Sequence, residues 1–139
     1  MGRRILEMAI TWKYVKPLKH PNAIEVMCNN RGIHIPAKTI NALKTHNGGR
    51  PADKSFDTVC ETDYVFSSLY SFNQDDPNSI IKDLDLYIER GLFPIGIEAG
   101  GNAVCLELES NRLVLVNHEN EKREPIILES NAELFSELA

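Results

Sequence analysis

Three short apolar segments in the second half of the chain constrain the fold most. They span residues 92–97, 103–108 and 113–117, and turn-forming Gly-Gly-Asn and Ser-Asn sequences lie between them at residues 100–102 and 110–111. Gaps this short join antiparallel neighbours, because a parallel crossover needs a dozen or more residues. The sequence therefore predicts an antiparallel meander here.

The remaining segments predict further strands and several helices around this meander. A hairpin is expected from strands at residues 58–60 and 64–72, and a last strand at residues 126–128. Apolar residues at helical spacing predict helices at residues 5–15, 23–28, 36–46, 80–89 and 131–138. With 139 residues and no linker, the chain is expected to form one domain over residues 1–139. The predicted fold class is α+β, with helices packed on one face of a mainly antiparallel sheet.

The glycine-rich turns predict structural roles rather than phosphate binding. Neither glycine pair lies in a dinucleotide-binding or P-loop motif, so we interpret them as turns. Gly96 lies inside a strand and is expected to mark a bulge or a close approach. The residues expected to have these structural roles are Gly48, Gly49, Gly96, Gly100, Gly101 and Asn102.

The sequence contains no motif that predicts catalysis, a cofactor or a metal. Cys28, Cys60 and Cys105 lack paired metal-ligand spacing and predict reduced thiols, with Cys60 and Cys105 inside apolar strands. The histidines are scattered, and the serines lack a nucleophile-elbow context. The apolar N-terminal stretch is short and contains Lys13, which argues against a signal or a membrane span. We therefore expect a cytoplasmic, non-enzymatic binding protein without catalytic, metal or cofactor sites.

Charge is unevenly distributed along the chain and favours a basic partner. The net charge is -5, but residues 1–74 sum to +4 and residues 75–139 to -9. An acidic second half would attract a cationic protein surface and would repel the phosphates of nucleic acid. The candidate partner-binding carboxylates are Asp75, Asp76, Asp83 and Asp85, although carboxylates at this spacing are more often helix-start and solvated-face residues.

The segment at residues 91–108 resembles the signature of the SUKH superfamily. That signature contains a bulky apolar residue, Pro, Ile, Gly, an acidic position, a Gly-Gly-Asn turn and a strand ending in Cys-Leu-Asp. Pro94, Gly96 and Cys105 fit it, whereas Glu98 and Glu107 stand where aspartate is common. Residues 35–49 and the chain end at residues 131–138 are also similar to the family's Asn-Gly-Gly element and closing helix.

The resemblance implies an α+β domain whose bacterial members bind and neutralise a cognate polymorphic toxin, often a nuclease. It adds Glu98 and Glu107 to the candidate partner-binding residues. Tight neutralisation also needs apolar or aromatic anchors, and the candidates are Tyr70, Phe72 and Tyr87, which are also consistent with the core. The expected partner is a basic toxin domain, with no direct contact to nucleic acid or membrane. The chain itself is expected to be a monomer, with a weak homodimer as the other possibility.

Two other functions remain open on the sequence. One is a regulatory adaptor of the cell-wall branch of the family, which binds another cytosolic protein without neutralising a toxin. The other is a hydrolase that uses a carboxylate pair or a metal site assembled by the fold. Detectable turnover or stoichiometric metal would favour the hydrolase.

Overall fold

The structure is a computed structural model that describes residues 11–52, 54–119, 124–128 and 138. Its strands are β1 (Trp12–Lys13), β2 (Arg50–Pro51), β3 (Ser55–Phe56), β4 (Tyr64–Leu69), β5 (Leu92–Glu98), β6 (Ala103–Glu107), β7 (Leu113–Val116) and β8 (Ile126–Ile127). Its helices are α1 (Ala23–Asn30), α2 (Ala37–Thr45) and α3 (Leu84–Glu89), with a 3-10 helix (Ile80–Asp83) leading directly into α3. This arrangement confirms the α+β class.

The six strands from β3 to β8 form one antiparallel sheet in sequence order, which confirms the predicted meander. Strands β1 and β2 form a separate antiparallel pair. Beyond β3, Thr58 bridges Leu128, and the Val59 N–H donates to the Ile127 carbonyl at 2.9 Å. This contact joins the two ends of the sheet, so the edges of β3 and β8 meet each other.

Both faces of the central strands are buried, which explains why these strands look continuously apolar in the sequence. Alternate residues such as Phe93, Ile95 and Val104 share one core cluster with Ile24 of α1 and Leu43 of α2. The intervening residues form a second cluster, composed of Leu92, Ala103, Cys105, Val114 and Val116. Burying one large apolar side chain contributes about 1.5–3 kcal/mol to the free energy of unfolding, compared with leaving it exposed. The two clusters therefore dominate the stability of the sheet.

Three sequence predictions need correction. Trp12–Lys13 is a strand, although the apolar spacing predicted a helix over residues 5–15. Tyr14 then takes φ +59°, a left-handed conformation that a right-handed helix cannot contain. The first strand of the hairpin is Ser55–Phe56 rather than residues 58–60, so Cys60 is exposed and not in the core. At Trp12 the pairing of β1 with the distant strand β2 decided the backbone conformation, whereas Thr58 and Val59 contact the distant Leu128 and Ile127 instead of forming the hairpin. The predicted closing helix, apart from Leu138, and residues 1–10 lie outside the described residues.

The other helices lie where the sequence predicts them. In α1 and α2 the buried side chains include Cys28 and Leu43. Ser79 caps the 3-10 helix, because its hydroxyl accepts the Ile81 N–H at 3.2 Å. The helical segment then ends at Gly91, which takes φ +75°.

Candidate functional site

Three of the six candidate carboxylates form ion pairs with cations that are distant in the sequence. Asp75 binds Lys19, and Asp76 binds Lys16 at 3.0 Å. Asp85 binds the Arg31 Nε at 2.6 Å. All three cations come from the basic first half of the chain. Folding therefore pairs three acidic side chains of the second half with cations of the first half.

Asp76 is part of the turn that precedes the 3-10 helix. Its side chain is only 9% exposed, and it accepts the Asn78 N–H at 2.9 Å as well as the Lys16 ammonium. These two contacts, the backbone one first, hold the pKa of Asp76 below its ordinary range. The neighbouring Asp75 is more exposed, and its bond to Lys19 likewise lowers its pKa. Both carboxylates anchor this turn to the segment that follows β1.

Glu98 is buried, at 5% exposed, and this is at odds with the expectation that it contacts a partner. Its Oε1 accepts the backbone N–H of Asn102 at 3.2 Å and the Asn102 side-chain amide at 2.8 Å. Glu107 binds Ser110 and Arg112 within the next turn, and these contacts lower its pKa. The two glutamates therefore stabilise the turns on either side of β6.

The Gly-Gly-Asn turn is built around Glu98. Gly101 takes φ +93°, whereas Gly100 is needed for space, because a Cβ there would lie 2.6 Å from the Glu98 Oε1. The Asn102 Oδ1 accepts the His118 N–H at 3.1 Å, which ties the turn to the end of β7. Gly100 and Gly101 thus fit the backbone of this turn, and Asn102 links it to Glu98 and His118 by hydrogen bonds.

Gly96 lies beside a bulge of β5 against β6, and the facing strand β4 is itself bulged between Phe66 and Ser68. The register of β5 with β6 shifts between Pro94 and Gly96. A Cβ on Gly96 would lie 2.5 Å from the Phe66 Cζ and 2.6 Å from the Ser68 carbonyl oxygen. Gly48 takes φ +68°, and a Cβ on Gly49 would lie 2.8 Å from the His46 carbonyl oxygen.

The helix α3 presents a different surface, which we call the α3 face: Asp83, Asp85, Leu86 and Glu89. Leu86 is 62% exposed and lies beside these carboxylates. Asp85 remains 75% exposed despite its bond to Arg31. Neither Asp83 nor Glu89 has a cationic partner among the described residues. The α3 face therefore combines an exposed apolar side chain with surrounding carboxylates.

A depression of about 440 Å³ adjoins the α3 face. It lies between α3 and the strand ends, and its lining includes Tyr87, Val116 and His118 together with Asp83 and Glu89. Its apolar floor and carboxylate-bearing rim suit a long side chain with a cationic end. Sequence reasoning did not single out Leu86, although helical spacing places it beside Lys82 and Glu89 on the outward side of the helix.

The three predicted aromatic anchors are largely occupied by the fold itself. Phe72 is buried and stacks on Phe93, with ring centroids 5.7 Å apart. Tyr70 and Tyr87 are half-buried and share a hydrogen bond, and burial raises the pKa of both. Leu86 is a better anchor candidate than any of these because it is already exposed.

The two buried cysteines are poor nucleophiles. Burial raises the pKa of the Cys28 thiol to about 11 and that of Cys105 further, which suppresses their thiolates. Among the residues described, no three His, Cys, Asp or Glu side chains meet where they could hold a metal ion. No helix in the described ranges is long and apolar enough to cross a membrane. The arrangement that the structure does offer is a surface for binding.

Comparison with known proteins agrees with the resemblance found in the sequence. Residues 22–135 match the family model SUKH_6, whose description is SMI1-KNR4 cell-wall. Searches of curated proteins and of solved structures gave no significant match. The matched range includes α1, the sheet, the Gly-Gly-Asn turn and the α3 face. Because the match covers most of its length, this chain belongs to the SUKH (SMI1-KNR4) family.

Proposed function

We propose that this protein is an immunity protein that binds and neutralises a cognate protein toxin through the α3 face. Family membership supports a protein-binding role, since SUKH domains often serve in immunity. The observation that carries the choice of surface is the exposed Leu86 among the carboxylates of Asp83, Asp85 and Glu89. The expected partner is a basic nuclease domain that acts in the same cytoplasm.

Two physical contributions would act together in this complex. Carboxylates around the anchor steer a cationic surface to the α3 face and raise the association rate. Burial of Leu86 in a partner pocket then slows dissociation, as central apolar anchors do. A nuclease is cationic where it holds phosphates, so the same acidic surface can cover the groove that its substrate needs.

The depression beside α3 adds a site for one side chain of the partner. An arginine or lysine stem would lie on Leu86 and Tyr87, and its charged end would reach Asp83 or Glu89. Arg90 also borders the depression, so the partner cation is expected at the Asp83 and Glu89 side. This arrangement gives specificity to a surface that charge alone would make promiscuous.

Co-expression with the toxic C-terminal domain of a large secreted protein encoded next to this chain tests the proposal. Rescue of growth and a stable one-to-one complex are expected. Leu86→Ala should weaken the complex by about 2 kcal/mol, mostly through faster dissociation. The double variant Asp83→Lys/Glu89→Lys should slow association about tenfold or more at low salt.

Matched controls separate the α3 face from general effects. Val59 is 57% exposed and lies outside the α3 face, so Val59→Ala is the control for Leu86→Ala. Glu61→Lys/Glu109→Lys reverses the same amount of charge at exposed positions elsewhere. Equal loss of binding in the controls, or unchanged binding in the α3 variants with retained folding, would rule out this face.

The regulatory adaptor remains the second candidate, and the cell-wall description of the matched family favours it. It predicts no rescue by co-expression with any neighbouring toxin domain. A stable complex with another cytosolic protein, weakened by the α3 variants, would then replace the immunity proposal while retaining the α3 face.

A further inference from the structure

A second groove, of about 750 Å³, has a charge opposite to that of the α3 face. It lies between the segment after β1, strand β4 and the 3-10 helix. Three cations from separate parts of the chain line it: Lys16, Arg50 and Lys82. Its volume is within the range usual for ligand sites. We call this feature the cationic groove.

Among the described residues, the cationic groove keeps a net positive charge. Lys16 is bonded to Asp76, but Arg50 and Lys82 form no ion pair with any carboxylate in the part of the chain that the structure describes. Asp83 is the carboxylate among the lining residues, at the boundary with the α3 face. The groove therefore retains a positive balance and favours an anionic ligand.

Tyr14 forms one wall of the groove and has an unusual backbone. It is 74% exposed and takes φ +59°, a conformation that residues with side chains seldom adopt. The Arg50 Cζ lies 5.9 Å from the centroid of its ring. This cation–π contact orients the guanidinium before any ligand binds. Strained residues that persist at an exposed position are more frequent at binding sites than elsewhere.

The remaining lining suits an extended peptide. The hydroxyl of Ser68 and the side-chain amide of Asn78 can bond to a peptide backbone, while the partly exposed Ile97 supplies apolar surface. Arg50 and Lys82 would then bind carboxylate side chains. Nucleic acid fits less well, because it needs a longer run of cations than the three that line this groove.

We propose that the cationic groove binds an acidic peptide segment of a protein partner, with Arg50 and Lys82 holding its carboxylates. This proposal is independent of the toxin proposal, because it concerns a different surface with the opposite charge. It gives the domain two partner surfaces that meet at Asp83.

Fluorescence anisotropy with a labelled oligoglutamate peptide at low ionic strength tests the proposal. Wild-type protein should bind it, an oligoserine peptide should not bind, and added salt should release it. Arg50→Gln/Lys82→Gln should weaken binding about tenfold or more. The matched control Lys13→Gln/Lys54→Gln removes the same charge at exposed positions that do not line the groove. Circular dichroism checks that each variant is folded.

Tyr14→Gly separates a binding role from a structural one. Glycine adopts φ +59° without strain, so the thermal midpoint should stay the same or rise. Peptide binding should nevertheless weaken severalfold, because Arg50 loses the ring that orients it. A lower midpoint with unchanged binding would give Tyr14 a structural role and contradict this part of the proposal.

Three results would overturn the cationic groove as an acidic-peptide site. They are equal binding by wild type and Arg50→Gln/Lys82→Gln, an equal loss in the charge-matched control, and stronger binding of a single-stranded oligonucleotide that displaces the peptide. The α3 variants Leu86→Ala and Glu89→Lys should keep peptide binding. Failure of the groove proposal is thus distinguishable from failure of the α3 face.

Discussion

Replacing Glu98 with alanine tests whether this glutamate supports the Gly-Gly-Asn turn or binds a partner. The carboxylate is buried and accepts two hydrogen bonds from Asn102, at 3.2 and 2.8 Å. We expect Glu98→Ala to lower the free energy of unfolding with no direct effect on any partner contact. Water can hydrate part of the half-buried Asn102 in the variant, which limits the loss of stability.

The magnitude follows from these two bonds. A hydrogen bond to a charged group contributes about 1.5–3 kcal/mol, and the two bonds share one carboxylate oxygen, so their contributions do not simply add. We expect the loss of these two hydrogen bonds to lower the free energy of unfolding by about 2–4 kcal/mol. For a domain of this size, each kcal/mol corresponds to about 3–4 °C, so the thermal midpoint should fall by roughly 6–16 °C.

Urea unfolding followed by circular dichroism provides the assay. Glu98→Gln keeps an oxygen acceptor in nearly the same shape and should lose less than half as much stability as Glu98→Ala. Glu109→Ala removes an exposed glutamate and is the control, with an expected change within about 0.5 kcal/mol. The reasoning is refuted if Glu98→Ala unfolds at the same urea concentration as this control, with unchanged slope.

The remaining predictions concern the glycines and the acidic turn. Gly101→Val should destabilise the fold, because valine is strained at φ +93°, and lost partner binding without a lower thermal midpoint would contradict this. Gly96→Ala should destabilise by about 1–3 kcal/mol or more, since its Cβ would meet Phe66 and the backbone of Ser68; urea titration against Ala52→Gly measures the loss. Because the pKa of Asp76 is lowered by folding, its contribution is present above the ordinary value of 3.8 and is lost as pH falls through the lower folded value. Wild type should therefore lose stability on acidification more steeply than Asp76→Asn, and parallel curves from acid titrations would exclude this contribution.

Local patterns predicted the strands and turns well but located the charges poorly. Residues 92–117 alternate between the two buried clusters, and the Gly-Gly-Asn turn fixes the hairpin, so both follow from neighbouring residues. The ion pairs of the candidate carboxylates could not be predicted in the same way. Asp76 and Asp85 are bonded to Lys16 and Arg31, which are 60 and 54 residues away in sequence.

The amino-acid sequence alone determined the family, the α+β class and the antiparallel meander, because these depend on periodicity and turn chemistry over short distances. Tertiary structure decided that Trp12 lies in a strand, that Glu98 is buried and that Leu86 stays exposed. It also brought Arg50 and Lys82 to one groove. The physical reason is that burial and ion pairing depend on contacts between distant segments, which local sequence patterns do not encode.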